Sequence, residues 1–490
     1  MKNYRSFIFF IAIFVLAVGV AQSALYLPVN LNEYRFLYDA FRRDEISGGF
    51  YNFNYNLGPY DTERLNGTMS FLNIGQSVPS DKIKFFALAC ENYRSIKDSS
   101  PNFYESFRGG FIAQPLKNFQ IYSNFVLDEA RAENPSYTGK KYRGLAGEVE
   151  NAFIAYHQGK IELIFGRFSS FWGPTAEPVV LSSTARPMDA LSVRFNWGKL
   201  NYSYQLARLD RYNEPVSDSE FVSYGRYFAG HRIDYRIFEN FNLGLFETII
   251  FSGVGQGLDL AYLNPLLFYH SFQLNENSDD NTFLGLDFCW YLQNRHKIYG
   301  QLMIDDYQVD DKEPGDKEPD EIGYLVGIQT IDLLDFLDIR AEYLKITNRT
   351  FNQAKPANRY INRGGLIGNE LGPDGDRFNL DITKWIKPYQ RLTLGLAYQR
   401  KGEGRVDADW DTPWLDSEGD YDEPFPTGIV EKTLMVNFNY TGVLNRFLYL
   451  DLTAGLEHIA NDGHIAGRDR TLPFVELNLS IGLSTLLDIE

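Results

Sequence analysis

Apolar and polar residues alternate one for one, in segment after segment, from about residue 50 to the end of this 490-residue chain. Tyr51, Phe53, Tyr55 and Leu57 interleave with Asn52, Asn54 and Asn56. Leu191, Val193, Phe195 and Trp197 interleave with Ser192, Arg194 and Asn196, and Leu200, Tyr202, Tyr204 and Leu206 with Asn201, Ser203 and Gln205. Leu284, Leu286, Phe288 and Trp290 interleave with Gly285, Asp287 and Cys289. A period of two sends successive side chains to opposite faces of a β-strand. One face is aliphatic and aromatic; the other is polar and includes Arg, Asp and Glu. Lipid solvates the first face and a water-filled lumen the second, and strands of about 9–11 residues cross a bilayer. In hydrocarbon only a closed sheet pairs every backbone group. The pattern predicts an all-β fold, a transmembrane antiparallel β-barrel with an even number of strands, about 18–20.

The N-terminus reads as an export signal. Lys2 and Arg5 precede an apolar run over Phe7–Val20, and the small residues Ala21 and Ser23 suggest cleavage after Ser23. Residues 24–49 have a different period. Asn30 and Glu33 resemble a capping box, Leu31, Tyr34, Leu37, Tyr38 and Phe41 fall at helical spacing, and Gly48-Gly49 ends the pattern. One short amphipathic helix is expected there, plugging the barrel or lying at its periplasmic mouth, with the barrel itself over 50–490.

Connections between strands alternate in length. Short ones fall at Ser77–Ser80, Pro115–Asn118, Gln158-Gly159, Gly198-Lys199, Glu239-Asn240, Asn294–His296, Asp332–Phe336, Lys387–Tyr389 and Gly442–Asn445. Long ones lie between them, near 94–103, 129–143, 169–190, 209–225, 252–282, 307–322, 348–376, 401–431 and 459–472. Bacterial outer-membrane barrels place short turns in the periplasm and long loops outside.

Charge bounds the function. A net charge of −17 argues against nucleic acid, whose phosphates need a basic surface. Acid concentrates in two long loops: residues 305–321 hold nine Asp or Glu and residues 407–423 hold eight. Neither meets the EF-hand pattern, and solvated flexible loops account for them. Cys90 and Cys289 lie on strands, far apart and without metal-ligand spacing to Cys or His. The chain has no G-x-S-x-G, H-E-x-x-H, P-loop or C-x-x-C, and its six histidines never pair at helix spacing. No enzyme, cofactor or metal is expected.

Several loop stretches are dense in Gly, Pro, Trp, Arg and Asp: GRFSSFWGPTAEPVVLSSTARPMD over Gly166–Asp189, Asn264-Pro265 with Asn281, Gly285 and Asp287, YGQLMIDD over Tyr299–Asp306, and ELGPDGD over Glu370–Asp376 ahead of KGEG at 401–404. In this order they resemble the outer-membrane capsule assembly protein Wzi family, in blocks over about 160–405. The resemblance implies an 18-stranded outer-membrane barrel with an N-terminal helical portion, acting as a lectin that retains capsular polysaccharide at the cell surface. It implies as partners outer-membrane lipid, an exported polysaccharide and the outer-membrane insertion machinery. The chain departs from the family in having room for about one helix, and in ending LSTLLDIE without a terminal aromatic.

Sugars stack their C–H faces on aromatic rings and fork hydroxyls onto carboxylates and guanidinium groups. Arg167, Trp172, Arg186, Asp189, Asp374, Asp376, Trp410 and Trp414 are the candidate polysaccharide-binding residues. The structural alternative is that Gly and Pro shape these loops and Arg–Asp pairs tie them together. A rival function is a porin: Arg232, Asp234 and Arg236, with Asp338, Arg340 and Glu342, would form charge rings across a channel or salt-bridge networks that close it.

Overall fold

In the computed structural model, residues 26–48, 56–60, 78–96, 102–134, 137, 139–217, 220–255, 257–308, 313–334, 336–387 and 389–488 are described. The expected signal segment, the strand expected over Tyr51–Tyr55 and the turn at Gly49 lie outside them. The barrel strands are β1 (Lys82–Ile96), β2 (Asn102–Leu116), β3 (Phe119–Asp128), β4 (Leu145–Gln158), β5 (Ile161–Phe168) and β6 (Met188–Trp197). They continue as β7 (Leu200–Arg208), β8 (Phe221–Phe238), β9 (Phe241–Val254), β10 (Asn281–Leu292), β11 (His296–Asp306) and β12 (Glu321–Leu333). The last are β13 (Leu337–Ile346), β14 (Gly375–Lys387), β15 (Gln390–Lys401), β16 (Glu431–Asn445), β17 (Leu448–Ala460) and β18 (Arg470–Asp488). Each pairs antiparallel with its neighbour, and β1 pairs with β18 from Lys82↔Asp488 to Ile96↔Phe474, which closes the sheet. The count is 18. Connections alternate short and long as expected.

The alternation resolves into an outer belt and a lumen wall. Phe165, Ile233, Tyr235, Leu245, Leu394, Phe438, Ile481 and Leu483 stand exposed on the outer face. Their strand neighbours Arg232, Asp234, Ser203, Gln205 and Asp287 are buried on the inner one. A polar lumen wall costs free energy unless its groups are paired, and at Arg232 they are. Arg232, fully buried, donates to Asp287 at 2.6 and 2.8 Å and to Asp234. Gly244 lies between these carboxylates in register, opposite Asp234 on one side and Asp287 on the other. A Cβ there would meet the Arg232 guanidinium at 2.4 Å, so only glycine leaves room for the triad. Here Arg232 and Asp234 form a salt-bridge network on the wall rather than a charge ring.

The core is inside the barrel. Helix α1 (Asn32–Ile46) brings Tyr34, Phe36 and Tyr38 into one apolar cluster with Trp172, Val179 and Leu181 of the β5–β6 loop and Phe351, Tyr360 and Ile367 of the β13–β14 loop. Asn30 does not cap α1. Its N-cap is Leu31, extended and without a side-chain hydrogen bond, because burial of Leu31 in the cluster sets where the helix begins. Two short helices stand in loops, α2 (Glu129–Glu133) and α3 (Tyr269–Glu276). Cys90 and Cys289 are buried.

Candidate functional site

Helix α1 is held at the short-turn end of the lumen by charge pairs from Asp39, Arg43 and Glu45. Glu45, fully buried, accepts from Lys297 of β11 at 2.9 and 3.0 Å and from the Tyr291 hydroxyl. Lys297 also donates to the Pro174 carbonyl at 2.8 Å, so one ammonium holds both the helix and the β5–β6 loop. Arg43 reaches Asp338 at 3.0 Å and Asp332, and Asp39 meets Arg391 at 2.7 Å.

Above the helix, the β5–β6 loop turns into the lumen. Gln301 of β11 donates to the Trp172 carbonyl at 3.0 Å and accepts from the Val179 amide at 2.6 Å. Thr175 donates to Glu342. The apolar run Val179-Val180-Leu181 is fully buried.

At the long-loop end three loops lock into a cap. Arg349, its guanidinium 4.8 Å from the Trp414 ring, donates to Asp411 at 3.0 Å and Glu423 at 2.8 Å. Arg359 donates to the Ala408 carbonyl at 2.6 Å, and Lys317 to the Gly419 carbonyl at 2.7 Å. Asp305 accepts from the Phe351 amide at 2.8 Å. Arg226 on the inner wall of β8 donates to the carbonyls of Arg359 and Ile361 at 2.8 and 2.9 Å. Burial, and then the charge of Asp306, push the Glu318 carboxyl in the cap up to about 7.

Against the β13–β18 wall the lumen stays open in two cavities. One, of about 460 Å³, lies beside α1 and is lined by Arg43, Asp338, Thr393 and Arg391; the other, of about 440 Å³, is lined by Glu177, Arg377, Gln399 and Glu431. Arg340, Asp381, Met435, Asn437 and Glu457 line both. Among the described residues no three His, Cys, Asp or Glu gather as a metal site.

The eight candidate residues do not form one site. Arg167 and Asp189 are paired in register on β5 and β6 and share two hydrogen bonds of 2.8 Å on the outer rim. Asp376 accepts from Arg400 at 3.0 Å and from Tyr343 at 2.9 Å, also on the outer rim. Asp374 is fully buried, with a left-handed backbone (φ 61°), and accepts from the amides of Gly404 and Thr427 at 2.9 Å each. It staples the β15–β16 loop to the start of β14. Trp172 and Trp414 correct the expectation of rings offered in the mouth: both are buried, Trp172 under the lumen loops and Trp414 beneath Arg349. Arg186 is half-buried beside Gly365, and Trp410 is half-buried in the cap.

The family model for capsule assembly protein Wzi matches residues 99–472. The chain belongs to that family. No curated protein matches it in sequence. Among solved structures it is similar to Wzi of Escherichia coli, described as an outer membrane protein involved in group 1 capsule assembly and a carbohydrate-binding β-barrel. The identity is 14%, the TM-score 0.60, and the match covers 94% of this chain and 99% of that one. It is also similar, with a TM-score of 0.45 and 12% identity, to the outer membrane protein OprD of Pseudomonas aeruginosa, over 83% of this chain and 94% of that one.

Within this Wzi-family barrel, two residues that build the cap escaped the sequence reading. Arg349 and Arg226 carry no motif, whereas Asp305 lies in the YGQLMIDD stretch. Arg349 has one local signal, a left-handed backbone (φ 66°) at a residue other than glycine, and that is visible only in the fold.

Proposed function

We propose that this protein is an outer-membrane, lectin-like barrel that binds and organises exported polysaccharide at the cell surface, and that it is a binding protein rather than an enzyme. Membership of the Wzi family over residues 99–472 carries the reading. The carbohydrate binding ascribed to the Escherichia coli protein and the shape of this lumen support it. A lumen that holds a helix, an inward loop and a cap favours presenting a surface over passing solutes.

The binding surface in this reading is the outer face of the cap. There Trp410 is half-buried, and Arg405 and Asp407, paired at 2.9 Å, keep exposed side chains. An aromatic ring, a guanidinium and a carboxylate in one loop offer a sugar a stacking face and two hydrogen-bonding forks. Arg349 and Trp414 act beneath, holding that face in place. The outer belt lies in outer-membrane lipid, and the chain reaches it through a cleaved signal and the insertion machinery.

The test is capsule retention on cells. Trp410→Ala with Arg405→Ala should release polysaccharide into the medium while surface levels of the barrel stay normal. Loss of one stacking contact worth about 0.5–1.5 kcal/mol weakens binding by roughly two- to twelvefold, before any contribution of Arg405. Retention equal to wild type, with the variant at normal surface level, would remove this face from the account.

A further inference from the structure

The connection between β9 and β10 touches the cap at the Asp279 carbonyl, which accepts from Asn358. Across residues 257–277 (GLDLAYLNPLLFYHSFQLNEN) it carries two acids, Asp259 and Glu276, and no Lys or Arg, against eight acids over 407–423. It runs down the outside of the barrel wall. Ile249 and Phe251 share the outer face of β9 with Leu245, which is 51% exposed, yet both are fully buried. Tyr262, Tyr269 and Phe272 pack over them, with the Phe251 and Tyr262 rings 4.3 Å apart. Tyr204, on the outer face of β7, donates to the Tyr262 carbonyl at 2.7 Å, and Tyr202 donates to the Pro265 carbonyl. Tyr202 is in register with Ile233 of β8 and Phe195 of β6. The segment therefore reaches the depth of the apolar belt.

Hydrocarbon tolerates irregular backbone only where its polar groups are paired. Here the Ala261 and Leu266 amides donate to the side chains of Asp259 and Asn264. Those of Leu263, Asn264 and Leu267 close turns on Asp259, Ala261 and Asn264. The first two amides of α3, Tyr269 and His270, donate to Glu247 of β9 at 2.9 and 2.7 Å. That satisfies donors a helix start always leaves over. Glu247 lies on the outer face and is 1% exposed, with His231 3.1 Å away. The segment thus hides a carboxylate that would otherwise face lipid. Outward it presents Leu260, Leu266 and Leu274, 81, 82 and 68% exposed, together with exposed Asn264, His270, Ser271, Asn275 and Glu276.

We propose that residues 257–277 form a membrane-embedded flap whose outer leucines contact the acyl chains of outer-leaflet lipid. The flap rests on the outer-membrane reading above. Two observations select lipid as the occupant: continuity with the belt at Ile233 and Leu245, and the near absence of charge. The flap makes β7–β10 a distinct sector of the barrel, wider in the bilayer plane than the rest.

Nitroxide labels at Leu266→Cys, Ile233→Cys and Leu415→Cys, in protein reconstituted into phospholipid vesicles, test it directly. Native Cys90 and Cys289 are buried and stay in place. Power saturation with oxygen and with a water-soluble nickel chelate reads the surroundings of each label. The label at 266 should favour oxygen over nickel to the same degree as the belt label at 233, opposite to the cap label at 415. Nickel access at 266 equal to that at 415 would overturn the flap. Shielding of 266 from both reagents would overturn it in favour of a covering second copy of the chain. Nickel access at 233 would overturn the membrane placement itself, and the flap with it.

Discussion

Lys297→Met isolates the interaction that seats α1 in the lumen. The ammonium makes two hydrogen bonds to Glu45 and one to the Pro174 carbonyl, and lies 5.2 Å from the Tyr299 ring. Both members of the pair are almost inaccessible, Glu45 at 0% and Lys297 at 2%. Methionine keeps the volume and removes the charge, leaving the Glu45 carboxylate buried with the Tyr291 hydroxyl as its donor. Breaking a buried pair from one side costs about 3–5 kcal/mol. The barrel hydrogen bonds are untouched, so the cost falls on the docked state of α1. Its opening equilibrium should rise roughly 100- to 4,000-fold. Hydrogen exchange of the α1 peptide in detergent micelles reads that equilibrium directly. Amides of 34–46 should exchange faster by that factor, with β1–β18 unchanged. Adding Glu45→Leu should restore most of the protection, because the stranded carboxylate goes with it. Unaltered α1 exchange in Lys297→Met would refute the reasoning. Loss of protection spread over all strands would show that the pair holds the barrel rather than the plug.

Asp374→Ala removes the acceptor for the Gly404 and Thr427 amides at a cost of about 1–3 kcal/mol for each buried donor left unpaired. Protease added to intact cells should then nick 402–430, with Asp374→Asn less sensitive because Asn tolerates the left-handed region; equal resistance of both variants to wild type would count against the staple. Leu394→Arg, on the belt at 49% exposure, should impair assembly by about 2–4 kcal/mol at mid-membrane depth. Thr393→Arg, facing the 460 Å³ cavity, should assemble normally, and matched defects would invert the faces. Glu318 has its folded pKa raised to about 7, so below that value the folded cap binds a proton the unfolded loop gives up near 4.5. Its contribution to cap stability is therefore full at pH 4–5 and is lost as pH rises through 7. A nitroxide at Tyr307→Cys should be immobilised at pH 5 and freer at pH 8, and Glu318→Gln should flatten that difference; a wild-type line shape independent of pH would contradict it.

The barrel was legible because each strand must solve the same two-sided problem. Arg232 and Asp234 sit between Ile233 and Tyr235 in sequence as they do across the wall, and the turn at Gly198-Lys199 and the loop at 169–187 fall where connection length places them. Helix α1 was legible for the same reason, through the 3.6-residue recurrence of Tyr34, Leu37, Tyr38 and Phe41. The loops were not. Val179-Val180-Leu181 has no period, so nothing local says that it enters the lumen. Trp172 and Trp414 read as ligand-facing rings because loop aromatics are exposed unless tertiary contacts cover them; here Leu181 and Arg349 do so. The direction taken by 257–277 depends on Glu247 and His231 of other strands. No local pattern encodes a partner so far away.

The central claim is that the cap face of this barrel binds polysaccharide. Equilibrium binding of purified, detergent-solubilised protein to capsular polysaccharide from the producing strain measures it most directly, with conductance of the same preparation recorded in planar bilayers. The account predicts saturable binding that weakens in Trp410→Ala with Arg405→Ala, and no steady conductance from wild type. Absence of polysaccharide binding together with a steady open-channel current would contradict it and assign the lumen to transport.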